Sequence, residues 1–105
     1  MSIYNYLLKN FGGIGFSGTR YLAYLIEHID NKTSLQTLYK KLAEDNSTTP
    51  AAVERAVRNY LTYLLGKVTI EELSVMFDYA FEPEQNISVK EFVLVLNHAM
   101  FDGIK

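Results

Sequence analysis

The stretch TTPAAVERAVRNYLTYLL, residues 48–65, decides the fold that we expect. Thr49 followed by Pro50 is a typical helix start, because threonine can cap the first amides and proline needs no amide partner at the first helical position. At about 100° per residue, one side of the following helix is apolar: Val53, Ala56, Val57, Tyr60, Leu61 and Leu64. The other side is small or polar: Ala51, Ala52, Glu54, Arg55, Arg58, Asn59 and Thr62. The pattern predicts an amphipathic helix.

The segment before this helix carries a second apolar stripe. Five residues recur there at helical spacing: Leu35, Leu38, Tyr39, Leu42 and Ala43. The polar turn of residues 46–49 separates them from the next helix. Two amphipathic helices joined by a short turn are typical of a helix-turn-helix, although the turn lacks the glycine that often occurs there. Residues 34–65 therefore form a candidate helix-turn-helix.

The rest of the chain also carries helix-start signals. Three pairs fit a capping box, in which two side chains satisfy each other's backbone amides: Thr33 with Gln36, Thr69 with Glu72, and Ser88 with Glu91. Six helices are predicted, at about residues 2–10, 18–30, 34–45, 50–65, 70–80 and 89–102. No alternating strand pattern competes with them. We expect one all-α domain over residues 1–105, in three parts: a leader helix in 1–12, the helix-turn-helix in 34–65 and C-terminal helices in 69–105.

The charge of the chain is unevenly distributed. A net charge of −2 and a pI near 5.6 argue against a general nucleic-acid coat, which is normally basic. Residues 32–67 nevertheless carry six basic and three acidic side chains, a net of +3, whereas residues 69–105 carry two basic and seven acidic ones, a net of −5. This asymmetry predicts two faces with different partners.

Several functional classes find no support in the sequence. The letters GIGFSG at 13–18 match G-x-G-x-x-G, but a dinucleotide site needs a preceding strand, and a helix is predicted there. Neither His28 nor His98 has a second histidine three or four residues away, although Asp102 follows His98 by four residues, and we read both as ordinary surface or boundary histidines without a metal. No spacing of catalytic residues is recognisable, and the tyrosines sit mostly at core spacing, which favours packing over base stacking. We expect a non-enzyme without cofactor or metal.

The cellular compartment is indicated only by the lack of targeting and membrane-spanning signals in the sequence. The chain has no cysteine, which excludes disulfides. Its start is not a basic leader followed by a long apolar run, and its longest apolar run, YLAYLI at 21–26, is too short to span a bilayer. We therefore expect a cytoplasmic protein without a membrane partner.

The outer face of the helix at 50–65 allows two interpretations. Glu54 and Arg58 are four residues apart, so they can form an exposed intrahelical ion pair on an ordinary solvated surface. The same face can instead be a recognition helix, because arginine can bind guanine O6 and N7 together and glutamate can accept a hydrogen bond from cytosine N4. The spacing alone leaves both interpretations open.

A family resemblance favours DNA recognition. The segments TTPAAVERAVRN, GTRYL at 18–22 and LYKKLAEDNSTT at 38–49 resemble the C-terminal effector domain of the stage-zero sporulation response regulator. The resemblance covers about residues 12–102. It implies a six-helix DNA-binding domain, often bound to DNA as tandem copies, whose C-terminal helices contribute to contact with RNA polymerase. The DNA-binding residues that we predict are Thr48, Thr49, Glu54, Arg55, Arg58, Asn59, Lys40 and Lys41.

Three features depart from the family pattern. Ala52 stands where the family usually carries arginine, and Glu44 and Asp45 stand where it is often basic, so we expect DNA binding that is weak or strongly salt-dependent. No receiver domain precedes the effector-type segment, and the short leader favours a stand-alone relative. The leading hypothesis is a sequence-specific DNA-binding regulator. The alternative is a protein-interaction module of the same fold that modulates a full-length relative or RNA polymerase with little or no DNA binding.

Overall fold

The computed structural model describes residues 2–82 and 87–102, and this part of the chain is helical without a strand. It contains six α-helices and a closing π-helix: α1 (Ile3–Phe11), α2 (Ser17–His28), α3 (Leu35–Asp45), α4 (Pro50–Leu65), α5 (Ile70–Phe77), α6 (Val89–Asn97) and the π-helix (His98–Asp102). The predicted all-α fold is confirmed. No helix in the described ranges is both long enough and apolar enough to cross a membrane.

The helix caps explain most of these boundaries. The Thr49 hydroxyl accepts a hydrogen bond from the Ala52 amide at 3.1 Å, with Pro50 at the first helical position, as predicted. Thr69 and Glu72 form the predicted reciprocal capping box. At the start of α6 only half of the predicted box forms: Ser88 accepts from the Glu91 amide.

The predicted cap at Thr33 is wrong. Ser34 caps α3 instead and accepts a hydrogen bond from the Thr37 amide, so the helix begins at Leu35. The Lys32 amide donates to the Asp30 carboxylate at 2.7 Å and lowers the pKa of the Asp30 carboxyl, and Thr33 lowers it further. The loop before α3 is therefore organised by Asp30.

The ends of α5 and α6 also differ from the expected ones. The prediction carried α5 to residue 80, but Asp78 adopts a left-handed conformation with φ 50° and ends the helix at Phe77. The last segment, predicted as helix to residue 102, changes from α to π geometry after Asn97. The Asn97 side-chain amide donates to the carbonyl of Ile26 at 2.7 Å, which ties α6 to the end of α2.

The core is shared by all six α-helices, with α2 packed against α1, α3, α4 and α6. The apolar stripes predicted for α3 and α4 face this core, except that Leu35 and Ala56 are only partly buried. Tyr60 is fully buried, and its hydroxyl donates to the carbonyl of Gly12 at 2.9 Å. Burying an aromatic ring with its hydroxyl bonded avoids the cost of an unpaired polar group.

Two glycines of the 13–18 stretch permit close packing against α4. A Cβ atom on Gly18 would overlap the carbonyl of Ala56, and one on Gly13, which has φ +90°, would overlap the ring of Tyr60. These contacts hold α4 against the start of α2. The glycines thus serve packing, in line with the sequence argument against a dinucleotide site.

Candidate nucleic-acid interface

The turn between α3 and α4 is fixed by backbone hydrogen bonds. The amide of Thr48 donates to the carbonyl of Ala43 at 2.9 Å, and the Asn46 side chain donates to the carbonyl of Leu42 at 2.8 Å. Ser47 adopts φ 54°, so a serine occupies the left-handed position for which glycine is the usual residue. The missing turn glycine therefore does not prevent a tight connection between two helices that pack against each other.

The outer face of α4 presents most of the predicted DNA-binding side chains to solvent. Arg55, Arg58 and Asn59 are exposed, whereas Glu54 is only partly so. The guanidinium of Arg58 donates from Nη2 to the Glu54 carboxylate at 2.5 Å, which confirms the predicted i,i+4 pair. The face therefore carries one arginine bonded to a carboxylate and a second, Arg55, one helical turn closer to the N-terminus.

The threonines and lysines predicted to lie near phosphates are also exposed. Thr48 and Thr49 lie at the start of α4, where the oxygen of Thr49 caps the helix while its hydroxyl hydrogen can still be donated. On α3, the Lys41 ammonium lies 3.6 Å from the Asp45 carboxylate, and both side chains are at least half exposed. This pair offsets part of the basic charge of α3, as the sequence departure at Asp45 implied.

An open cleft of about 1190 Å³ runs along one side of α4. Glu54, Arg58 and Thr62 line it from α4, and Lys32 and Lys90 line it from the α2–α3 loop and from α6. Sequence reasoning missed the two lysines as neighbours of Arg58. Their local patterns carry no such signal, because the loop and α6 meet α4 only through tertiary packing.

The histidines show no sign of a metal site. The ring of His28 lies 4.2 Å from the ring of Tyr24, centroid to centroid, on the exposed end of α2. Among the residues that the structure describes, no three His, Cys, Asp or Glu side chains come together in a way that could hold a metal ion.

In the pair α3–α4, the second helix is capped, packs its inner face on the core and exposes arginines on its outer face. These are features of helix-turn-helix DNA-binding domains. The chain matches the family model described as sporulation initiation factor Spo0A C terminal over residues 6–100, and it therefore belongs to this family. The predicted resemblance is confirmed. The family consists of DNA-binding regulatory domains and is not an enzyme family. No curated protein and no solved structure matches the chain.

Proposed function

We propose that this protein is a sequence-specific transcription regulator that inserts α4 into the major groove of double-stranded DNA. The proposal rests on one observation: Arg55 and Arg58 are exposed on the outer face of a helix whose inner face is fully packed. A helix fits the major groove, and an arginine there can discriminate guanine from the other bases by about 1–3 kcal/mol.

The remaining predicted residues have supporting roles in this proposal. Asn59 extends the base-facing surface along α4, while Thr48, Thr49, Lys40 and Lys41 bind backbone phosphates on either side. Phosphate contacts position the protein and make binding salt-dependent. Because Ala52 adds no charge and Lys41 is paired with Asp45, α3 and α4 contact few phosphates. Of the two expectations from the sequence, this favours weak binding over a strong salt dependence, since the salt dependence grows with the number of phosphate contacts. A regulator of this family acts on DNA in the cytoplasm.

A second function is favoured by the C-terminal helices. Five large apolar side chains are exposed there: Val75, Met76, Tyr79, Leu94 and Phe101. Tyr79 and Leu94 line the same surface depression, and contiguous exposed apolar residues often mark protein-binding surfaces. The alternative proposal is a module that modulates RNA polymerase or a full-length relative, with little or no DNA binding of its own.

Fluorescence anisotropy separates the two functions. The full chain is titrated with a duplex carrying a DNA box bound by the family and with a scrambled duplex, at two salt concentrations. A preference for the box of about 4 kcal/mol or more supports the DNA-reading regulator, since that is the low end for specific sites. Equal, weak binding to both duplexes would favour the protein-interaction module.

One variant pair tests the proposed face directly. Arg55→Ala is expected to weaken box binding by about 1–3 kcal/mol and to relax specificity at one base pair, with the helical content unchanged by circular dichroism. Lys9→Ala removes one positive charge from the exposed last turn of α1 and is the matched control. Equal losses for the two variants would mean that charge alone, not recognition by α4, drives binding.

A further inference from the structure

The cleft beside α4 collects positive charge from three separate elements. Lys32 lines it from the α2–α3 loop, Arg58 from α4 and Lys90 from α6, and all three side chains are exposed. Two carboxylates, Asp30 and Glu54, also belong to the described lining, so three cations stand against two anions. The cleft is therefore a charged surface whose cations come from distant parts of the chain.

Both carboxylates of the cleft already have partners. Glu54 accepts a hydrogen bond from Arg58, and the Asp30 carboxylate accepts one from the backbone amide of Lys32 at 2.7 Å. Within the part of the chain that the structure describes, neither the Lys32 nor the Lys90 ammonium forms an ion pair with a carboxylate. The two ammonium groups can therefore bind an anion from outside the molecule.

Hydrogen bonds hold the two sides of the cleft together. The bond to Asp30 orders the loop that carries Lys32. The Asn97 side chain donates to the carbonyls of Ile26 at 2.7 Å and Ile29 at 3.4 Å, which joins α6 to the end of α2 just before that loop. The backbone that carries both lysines is thus fixed before any ligand binds, which lowers the entropy lost on binding.

The position of the cleft beside the outer face of α4 fits one strand of a DNA duplex. A helix with its side chains is about 10–12 Å across and the major groove is about 12 Å wide, so the phosphate strands lie against both flanks of an inserted helix. Arg58 is exposed on the outer face and also lines the cleft. The cleft therefore opens directly beside the face that meets the bases.

We propose that Lys32 and Lys90 bind phosphates of the strand that passes this flank of α4, so that the DNA interface extends beyond the helix-turn-helix. The inference rests on the proposed DNA-binding function. On α3, the pairing of Lys41 with Asp45 leaves few free cations for phosphates. The two cleft lysines add contacts from the α2–α3 loop and α6, and these contacts carry no base information.

The first test is the salt dependence of binding. Dissociation constants for the box duplex and the scrambled duplex are measured by fluorescence anisotropy with the full chain between about 50 and 200 mM salt. Lys32→Gln and Lys90→Gln are each expected to reduce the slope of log affinity against log salt by about 0.9, and the double variant by about 1.8. Over this range wild type is then expected to lose roughly 12-fold more affinity than the double variant.

The two duplexes show whether the lysines read bases. Lys32→Gln and Lys90→Gln are expected to weaken binding to the box and to the scrambled duplex by the same factor, because phosphate contacts are the same in any sequence. A loss of preference for the box in either variant would overturn the inference, since that lysine would then act on base recognition.

A second test locates the contacts on the DNA. Single phosphates along the strand are replaced in turn by uncharged methylphosphonates. At the phosphate bound by Lys90, the replacement is expected to weaken binding of wild type but not of Lys90→Gln, and a different phosphate is expected to respond in this way to Lys32→Gln. Such non-additivity marks a direct contact, which a lysine with a purely structural role does not produce.

Two control variants separate the cleft from charge in general. Lys90→Arg keeps the charge and is expected to retain the salt slope of wild type. Lys9→Gln removes one charge from the exposed last turn of α1, outside the cleft, and is expected to leave the slope unchanged. Circular dichroism verifies that every variant keeps its helical content.

The outcomes also separate this inference from the proposed function. Unchanged slopes in Lys32→Gln and Lys90→Gln, slopes reduced equally in Lys9→Gln, or additive effects at every phosphate would overturn the inference while sequence-specific binding stands. If wild type shows no preference for the box, the proposed function fails, and the slopes on the scrambled duplex still decide whether the cleft binds phosphates.

Discussion

Gly18 lies against the backbone of Ala56 with no room for a side chain, whereas Val75 on α5 is 83% exposed to solvent. The first contact belongs to the α2–α4 seam, which we define by Gly13, Gly18, Ala56 and Tyr60. The second residue belongs to the C-terminal apolar face, defined by Val75, Met76, Tyr79, Leu94 and Phe101. In the seam, α2 and the preceding glycines lie in close contact with α4, while on the face parts of large apolar groups meet water.

The comparison shows that one region of this small domain holds the helices together, whereas another leaves apolar side chains exposed. The seam holds the inner side of α4 against α2. The outer face of α4 can therefore consist of small and polar residues without loss of packing. Val75 adds little to folding, because a side chain left in water gains no burial energy. The C-terminal apolar face thus offers exposed apolar area to a partner, and the surrounding sequence is strongly acidic.

The largest effect is expected in the seam, for Gly18→Ala. The added Cβ would overlap the carbonyl oxygen of Ala56 and lie 2.7 Å from its carbonyl carbon, so α2 and α4 must move apart. Overpacking against backbone is expected to lower the free energy of unfolding by about 3 kcal/mol or more, as measured by urea denaturation. Gly15→Ala is the matched control, because a Cβ there meets nothing within 4 Å. Similar losses in the two variants would contradict the view that close packing in the seam sets the effect of Gly18→Ala.

A smaller effect is expected for Tyr60→Phe, which leaves the ring but removes the hydrogen bond to Gly12. Without the hydroxyl the carbonyl of Gly12 loses this donor, and the free energy of unfolding is expected to fall by about 1–2 kcal/mol at neutral pH. Tyr24→Phe, in a half-buried tyrosine of α2, controls for the loss of a hydroxyl. Equal losses in the two variants would contradict a special role for the Gly12 bond.

The same tyrosine predicts a dependence of stability on pH. Burial raises the pKa of Tyr60 to about 12, whereas an unfolded tyrosine titrates near about 10. As the pH rises, the unfolded chain therefore loses this proton before the folded protein does. The contribution of the protonated Tyr60 hydroxyl to the free energy of unfolding is complete below about pH 10 and is lost as the pH rises towards about 12. Thermal unfolding between these values is expected to show a smaller loss of stability in Tyr60→Phe than in wild type. Identical pH profiles would show that Tyr60 does not carry this effect.

The smallest effect is expected on the C-terminal apolar face, for Val75→Ser. An exposed side chain away from special features changes the free energy of unfolding by no more than about 0.5 kcal/mol. Val57→Ser, at a fully buried position of α4, is the matched comparison and is expected to cost several times more. Urea denaturation of both variants measures the contrast. A large loss for Val75→Ser would mean that this face supports the fold.

Local sequence patterns were sufficient for the helices themselves. Caps and apolar periodicity involve residues within one or two turns of each other, so Thr49, Pro50 and the stripe from Val53 to Leu64 located α4 correctly. The pattern failed where two neighbouring residues could take the same role. Thr33 and Ser34 can both cap α3, and it is the Ser34 hydroxyl that accepts from the Thr37 amide.

The candidate DNA-binding face was predictable only in part. Periodicity places Arg55, Arg58 and Asn59 outward, and spacing alone suggests the pair of Glu54 with Arg58. It does not show that Glu54, Lys32 and Lys90 line one cleft beside α4. Those neighbours come from other helices, and their approach depends on packing.

The sequence by itself determined that this protein is helical, roughly where its helices lie, which sides of α3 and α4 are apolar and to which family it belongs. These properties depend on residues close together in the chain. Only the tertiary structure decided why residues 13–18 are rich in glycine, what the Tyr60 hydroxyl binds and how α6 attaches to α2. Each of these depends on contacts between distant segments, such as Tyr60 with Gly12 and Asn97 with Ile26, which form only when the core is complete.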